Sequence, residues 1–236
     1  MTKPLSRRLA TGATKAALCA ATASTLLTGC SKQIKTDQSS YDVKDTITSL
    51  RVDDYEGAIE VVPGTGSAAK VTEKFEYTDG RPQTKHSVKG SELVLKNSGC
   101  GSAADKCGVR YRVEVPVNTA THLTLGGGDI TVRGLSGTTY AKLEGGSVDI
   151  ADSLAKTVTA RVGGGDVTVT FTGVPDKVGA SSEGGDVTVR LPQGRYAVDA
   201  TTEGGRRSVA VKTDSSSPHK IRARTEGGDV SVEAAG

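Results

Sequence analysis

The stretch EGGDVTV, Glu183–Val189, decides how this chain is read. Four near copies surround it: GGGDITV from Gly126, EGGSVDI from Glu144, GGGDVTV from Gly163 and EGGDVSV from Glu226. An enzyme rarely repeats a site, whereas a scaffold repeats a structural unit. Anchoring each unit on the first glycine of its pair gives Gly127, Gly145, Gly164, Gly184, Gly204 and Gly227, with steps of 18, 19, 20, 20 and 23 residues. Four positions upstream stand Leu123, Ala141, Ala160, Ala180, Ala200 and Ala223; six upstream, Thr121, Thr139, Val158, Val178, Val198 and Ile221. Two upstream the column runs Leu125, Leu143, Val162, Ser182, Thr202 and Thr225. Three and five positions downstream lie Ile130/Val132, Val148/Ile150, Val167/Val169, Val187/Val189 and Val230/Val232. The unit at Gly204, EGGRRSVAV, is read as regaining the alternation two residues late, at Val209 and Val211, an even insertion that keeps the same faces inward.

Each unit therefore reads as two short strands of period two joined at a Gly-Gly corner, with one small apolar face and one polar face. A single unit cannot bury its apolar face, but stacked units cover one another. The chain has only 3% aromatic residues, which suits a narrow interior of Val, Ile, Leu, Ala and Thr. The expected fold is all-β: a β-solenoid of about six short Gly-punctuated coils over residues 121–236. Residues 46–120 are expected to form a β-rich N-terminal cap that includes a first coil. In that coil Leu50 and Val52 precede a corner near Gly57, and Ile59 and Val61 follow it. Longer strands are expected in KVTEKFEYT, in KHSVKGSELVLKN with a hairpin turn at Lys89-Gly90, and in GVRYRVEVPV.

The first 29 residues read as a removable export signal. MTKPLSRRLATGATK carries Lys3, Arg7, Arg8 and Lys15 and no acid, and the weakly apolar AALCAATASTLL that follows is too short to span a bilayer. The next letters, LTGC at Leu27–Cys30, resemble the lipobox of bacterial lipoproteins, which implies a lipid on Cys30 and cleavage before it. SRRLA also resembles a twin-arginine signal, and a generic positive leader is an equal reading. The whole chain has 30 basic and 27 acidic residues; without the four basic residues of the leader, 26 face 27, a net charge of −1. No basic stripe interleaved with aromatics points to nucleic acid. Residues 30–45 read as a polar tether. The expected partner is the membrane, reached through the lipid anchor on the extracytoplasmic face. Cys100 and Cys107 are a short-spaced pair outside the cytoplasm and read as a disulfide.

Val113, Val115 and Pro116 in GVRYRVEVPV, followed by Gly-punctuated coils, resemble the adhesin-like β-strand-repeat family of bacterial envelope proteins. The resemblance implies a β-solenoid-like, envelope-associated domain and brings no catalytic residues with it.

Two columns at the corners are candidates for chemistry. Asp129, Ser147, Asp166, Asp186, Arg206 and Asp229 share one position; Gly126, Glu144, Gly163, Glu183, Glu203 and Glu226 share another. Glu144, Asp166, Glu183, Asp186, Glu203, Glu226 and Asp229 would form an acidic ridge able to attract a cation. The plainer reading is that Asp after Gly-Gly is a turn residue and Glu on a corner is solvated. A polysaccharide-cleaving reading would draw on Asp166, Asp186, Glu183, Arg161 and Arg206, but no long loop is available to wall an active site. The expectation is a non-catalytic, lipid-anchored structural or binding module of the envelope, needing no cofactor or metal, with a glycan- or cation-binding surface as the alternative. Partners would be an envelope protein or a cell-wall glycan. Ile221, Ala223, Val230 and Val232, in the last unit of the sequence, are expected at an uncovered end of the stack, open to a second copy or a partner.

Overall fold

The computed structural model describes residues 32–100 and 106–235, so the leader and Cys30 lie outside the described residues. Eighteen strands form one sheet that winds in coils, with no helix among the described residues. The cap comprises β1 (Lys35–Val43), β2 (Ser49–Pro63), β3 (Ala69–Tyr77), β4 (Thr84–Lys89), β5 (Glu92–Asn97) and β6 (Cys107–Val115). β7 (Ala120–Arg133) runs unbroken through its corner. Paired short strands follow: β8 and β9 (Thr139–Gly145, Val148–Ser153), β10 and β11 (Thr157–Gly164, Val167–Phe171), and β12 and β13 (Lys177–Ser182, Val187–Leu191). The last strands are β14 and β15 (Arg195–Thr202, Arg207–Val209), β16 (Lys212–Thr213), and β17 and β18 (Lys220–Thr225, Val230–Ala234).

The coils pair in parallel, and the sequence columns are the registers. Leu123 lies against Ala141, Ala141 against Ala160, Ala160 against Ala180, Ala180 against Ala223, and Ala223 against Ala200. Inward residues alternate with outward ones along the coil strands β7 to β13, β17 and β18, which leaves their Val, Ala and Leu columns at 0–4% exposure, while Val198 and Val209 of β14 and β15 are only partly buried. The β-solenoid is therefore the fold, and β2 is a further coil of it: Ile59 and Val61 pair with Ile130 and Val132.

Spatial order departs from chain order at both ends. β2 lies between β7 on one side and β5 and β6 on the other. β17 and β18 are inserted between β12/β13 and β14/β15. This corrects the expected open end: Ile221, Ala223, Val230 and Val232 are 0–1% exposed, in the interior of the stack. The end coil is β14/β15. Its register also corrects the reading of EGGRRSVAV, because Arg207 pairs with Val230 and Val209 with Val232, with no insertion. Arg207 thus stands in an apolar column. Sandwiching a guanidinium between two coils would cost several kcal/mol. Only the outermost place leaves that charge in water.

The segment read as a tether is largely a strand. β1 pairs antiparallel with β3 over nine residues, from Lys35 opposite Tyr77 to Val43 opposite Ala69. Tyr41 and Val43 turn inward at its end, and that short alternation is enough to dock a polar segment on an available edge. The hairpin between β4 and β5 turns at Gly90 and Ser91.

Corners come in two types. Where the column two before the glycine pair is Leu125, Leu143 or Val162, the second glycine has positive φ: 120° at Gly128, 124° at Gly146 and 131° at Gly165. Where that column is Ser182, Thr225 or Thr202, the second glycine does not have positive φ, and the hydroxyl joins the corner. Ser182 Oγ donates to the Gly165 carbonyl at 2.7 Å and accepts from the Gly185 N–H at 2.9 Å. Thr225 and Thr202 donate to the Gly185 and Gly228 carbonyls, each at 2.6 Å. These polar members of an apolar column each fasten one coil to its neighbour.

Candidate functional site

The acidic corner column is built into the backbone. Asp129 accepts from the Ser147 N–H at 3.1 Å. Asp166 accepts from the Asp186 N–H, Asp186 from the Asp229 N–H and Asp229 from the Arg206 N–H, each at 2.8 Å. Each carboxylate thus holds the same position of the next coil, a turn-type role repeated up the stack. Arg206 also clamps the other oxygen of Asp229, at 2.9 and 3.2 Å. The Arg206 N–H, followed by its guanidinium, keeps that carboxyl below its ordinary value. Glu183, Glu226 and Glu203 follow one another on three adjacent coils, exposed; Glu144 is set apart by the coil bearing Gly163. Among the described residues none of these four glutamates is in an ion pair, and no three His, Cys, Asp or Glu side chains gather as metal ligands would. The ridge therefore divides into aspartates engaged with backbone and glutamates facing water.

A second polar group lies inside the cap, where sequence reading did not look. Asp54 pairs with Leu125 and so stands in an inward column, 8% exposed. Its Oδ1 accepts from the Tyr55 N–H at 2.7 Å and from the Asn97 amide at 2.8 Å. Burial pushes its carboxyl up from 3.8 to about 6 against these two bonds. Asp54 Oδ2 and the Tyr111 hydroxyl are buried without hydrogen-bond partners among the described residues. Nearby Glu73, 5% exposed, accepts from Tyr41 at 3.2 Å and from Thr84 at 3.1 Å. Tyr41 in turn stacks on His86, ring centres 4.3 Å apart. The signal was present in the sequence: Asp54 continues the alternation Leu50, Val52, and Glu73 sits between Val71 and Phe75. An acid in an inward register marks a buried acid.

The third feature is a trough of about 1070 Å³ on the outer face of the sheet formed by β10, β12, β17 and β14. Gly179 and Ser181 form its floor, Arg161 stands on one side, and Arg222 and Arg224 on the other. Asp199 accepts from Arg224 at 2.7 Å and from Arg222 at 3.1 Å. Those bonds, Arg224 first, hold its carboxyl below the ordinary range.

Cys100 and Cys107 are joined in a disulfide, which ties the segment before β6 to its first residue. Arg161 and Arg206 do not converge with Asp166 and Asp186 on one site. Arg206 is bound to Asp229, and Arg161 lines both the trough and the adjoining depression, where Glu183 stands but Asp166 and Asp186 do not.

Comparison with solved structures finds a "putative cell adhesion protein" from Clostridium sporogenes at 16% identity, with 85% of this chain and 100% of the other covered and a TM-score of 0.49. A "putative adhesin" from Bacteroides fragilis aligns at 16% identity over 87% of this chain and 98% of the other, with a TM-score of 0.46. Comparison with curated proteins finds no match. Residues 44–233 match the Toastrack family, DUF4097, and with nearly all of the coil-forming chain inside that match, this protein belongs to the Toastrack family.

Proposed function

We propose that this protein is a binding or structural module of the cell envelope, held on the extracytoplasmic face of the membrane by lipid on Cys30 and acting without catalysis. The observation that carries the reading is LTGC, Leu27–Cys30, behind a basic and then weakly apolar leader. The Cys100–Cys107 bridge supports an oxidising compartment. β1 begins at Lys35, five residues past Cys30, so a fully extended linker spans only about 18 Å. Such a domain rides close to the bilayer. The acids that a hydrolytic reading needs, Asp166 and Asp186, are engaged with backbone N–H groups, which speaks against that use of them.

Fractionation tests the anchor. Cys30→Ala is expected to move the protein from the membrane fraction to the soluble extracytoplasmic fraction. Unchanged membrane association of the variant overturns the lipid anchor. Of the alternative surface readings, the trough favours a glycan over a cation, because basic residues outnumber acidic ones along it.

A further inference from the structure

We infer that the trough over β10, β12, β17 and β14 binds an anionic glycan chain, one bearing phosphodiester or carboxylate groups along its length. The inference rests on the reading of this domain as an envelope binding module and gives that module a ligand class. Five cations on the outer face (Arg161, Lys177, Lys220, Arg222 and Arg224) and two carboxylates line the trough, with Arg207 of the end coil at its margin, although the chain without its leader has a net charge of −1. The trough is thus a locally positive stretch, which ends at Arg161 and Arg224, where the adjoining depression is lined by Glu144, Glu183, Glu203 and Glu226. Both carboxylates are engaged locally. Asp199 bridges Arg222 and Arg224 and cancels one of their two charges, while it fixes both guanidiniums in place. Asp214 accepts from the Ser216 hydroxyl and N–H at 2.6 and 2.9 Å. Arg161 and Lys177 are exposed and make no ion pair among the described residues.

The shape follows from register. Thr159, Gly179, Arg222 and Asp199 form one outward row across the strands, and Arg161, Ser181, Arg224 and Thr201 form the next. The small residues of β12 leave a channel along the strand. Arg161 and Arg224 stand two strands apart, about 10 Å. A linear polymer lying along β12 would meet Arg161 on one wall and Arg222 and Arg224 on the other. Lys177 and Lys220, paired at the start of β12 and β17, would meet it at one end. Guanidiniums held in fixed forks bind phosphate and carboxylate oxygens in pairs. The lining holds no aromatic side chain on which a nucleic-acid base could stack, which favours a glycan over a single-stranded nucleic acid.

The test uses the purified full-length chain in titrations with poly(glycerol phosphate), polygalacturonate, neutral dextran and an oligothymidylate. Saturable binding to one or both anionic glycans is expected, and the two arms tell phosphate from carboxylate. Affinity should fall about tenfold or more as salt rises from ~0.05 to ~0.5 M. Arg161→Ala combined with Arg224→Ala should weaken binding at least tenfold. Gly179→Tyr is the independent variant: a Cβ at Gly179 would meet nothing within 4 Å, so the ring fills the channel without disturbing the coil. It should block binding at an unchanged melting temperature. Four results would each overturn the proposal: no saturable binding to either anionic glycan, equal binding to dextran, tighter binding to the oligothymidylate, or binding that survives both variants. Loss of the membrane anchor in Cys30→Ala leaves these titrations unaffected, so the two readings fail separately.

Discussion

Arg207 Nε donates to the Ala200 carbonyl at 2.8 Å, from one strand of the end coil to the other. Arg207 fills the column that Val187 and Val230 fill in the coils beneath. It therefore puts a charge over the uncovered end, where Val198 and Val209 are only half-buried and strand edges stand open. Such inward-pointing charges block edge-to-edge association. Arg207→Val should leave the fold intact and make the protein self-associate end to end. Sedimentation velocity checks this; a variant as monomeric as wild type at high concentration removes the capping role.

The Gly-Gly pairs at Gly127, Gly145 and Gly164 each hold one tolerant and one obligatory glycine. A Cβ at Gly145 would meet nothing within 4 Å, whereas a Cβ at Gly146 would collide with the Gly128 carbonyl of the coil below. Gly146 also has φ of 124°, which an L side chain rarely adopts. Gly145→Ala should change stability by less than ~1 kcal/mol. Gly146→Ala should cost about 3 kcal/mol or more, since backbone strain and a steric clash add. Denaturant unfolding of the pair gives the comparison, and equal midpoints would refute it.

The columns of Ala, Val and Leu made the coil and its register legible, because a period of two and a repeat of about twenty leave one consistent pairing. They could not order the coils. Ala180 accepts Ala223 as a neighbour as readily as it would accept Ala200, since all carry the same column. The discriminating residue was Arg207, and crediting EGGRRSVAV with two extra residues hid it. The trough depends on the same point. In chain order β12 would lie beside β14, with Asp199 and Thr201 next to Gly179 and Ser181. The insertion of β17 brings Arg222 and Arg224 there instead. Asp54 was missed because its corner at Gly57 has no glycine pair to anchor the columns.

Aspartate-to-backbone bonds also predict how the stack answers calcium. Asp166, Asp186 and Asp229 each already use one oxygen on the next coil, and Arg206 occupies the second oxygen of Asp229. Millimolar calcium should therefore raise the melting temperature by no more than a few degrees. A rise of tens of degrees by differential scanning fluorimetry would show that the glutamate row and these aspartates bind the ion together.

The bridge between Cys100 and Cys107 closes a loop of eight residues, with a sequence separation of 7. On the chain-entropy account, a loop that short restrains the unfolded chain by about 2–3 kcal/mol. Reduction should lower the unfolding free energy by that amount without loss of the coil spectrum, because the columns lie elsewhere. Circular dichroism melts with and without reductant measure it, and superimposable melts would show that the bridge contributes nothing.

Asp54 makes stability depend on pH in a direction opposite to that of an ordinary ion-paired carboxylate. Burial raises its folded value from 3.8 to about 6. Between those values the folded protein keeps a proton that the unfolded chain has released. Stability therefore falls as pH rises through this window and levels off above it. The full effect is at most about 3 kcal/mol, from two pH units at ~1.4 kcal/mol each. Asp54→Asn keeps an oxygen for the Tyr55 N–H and the Asn97 amide and removes the charge. Its stability relative to wild type should therefore improve by about 2–3 kcal/mol between about pH 4 and pH 7. Urea unfolding of both proteins across that range gives the difference directly. If the two stability curves run parallel from pH 4 to pH 7, Asp54 does not titrate in the window, and its buried oxygen is stabilised by something other than a proton.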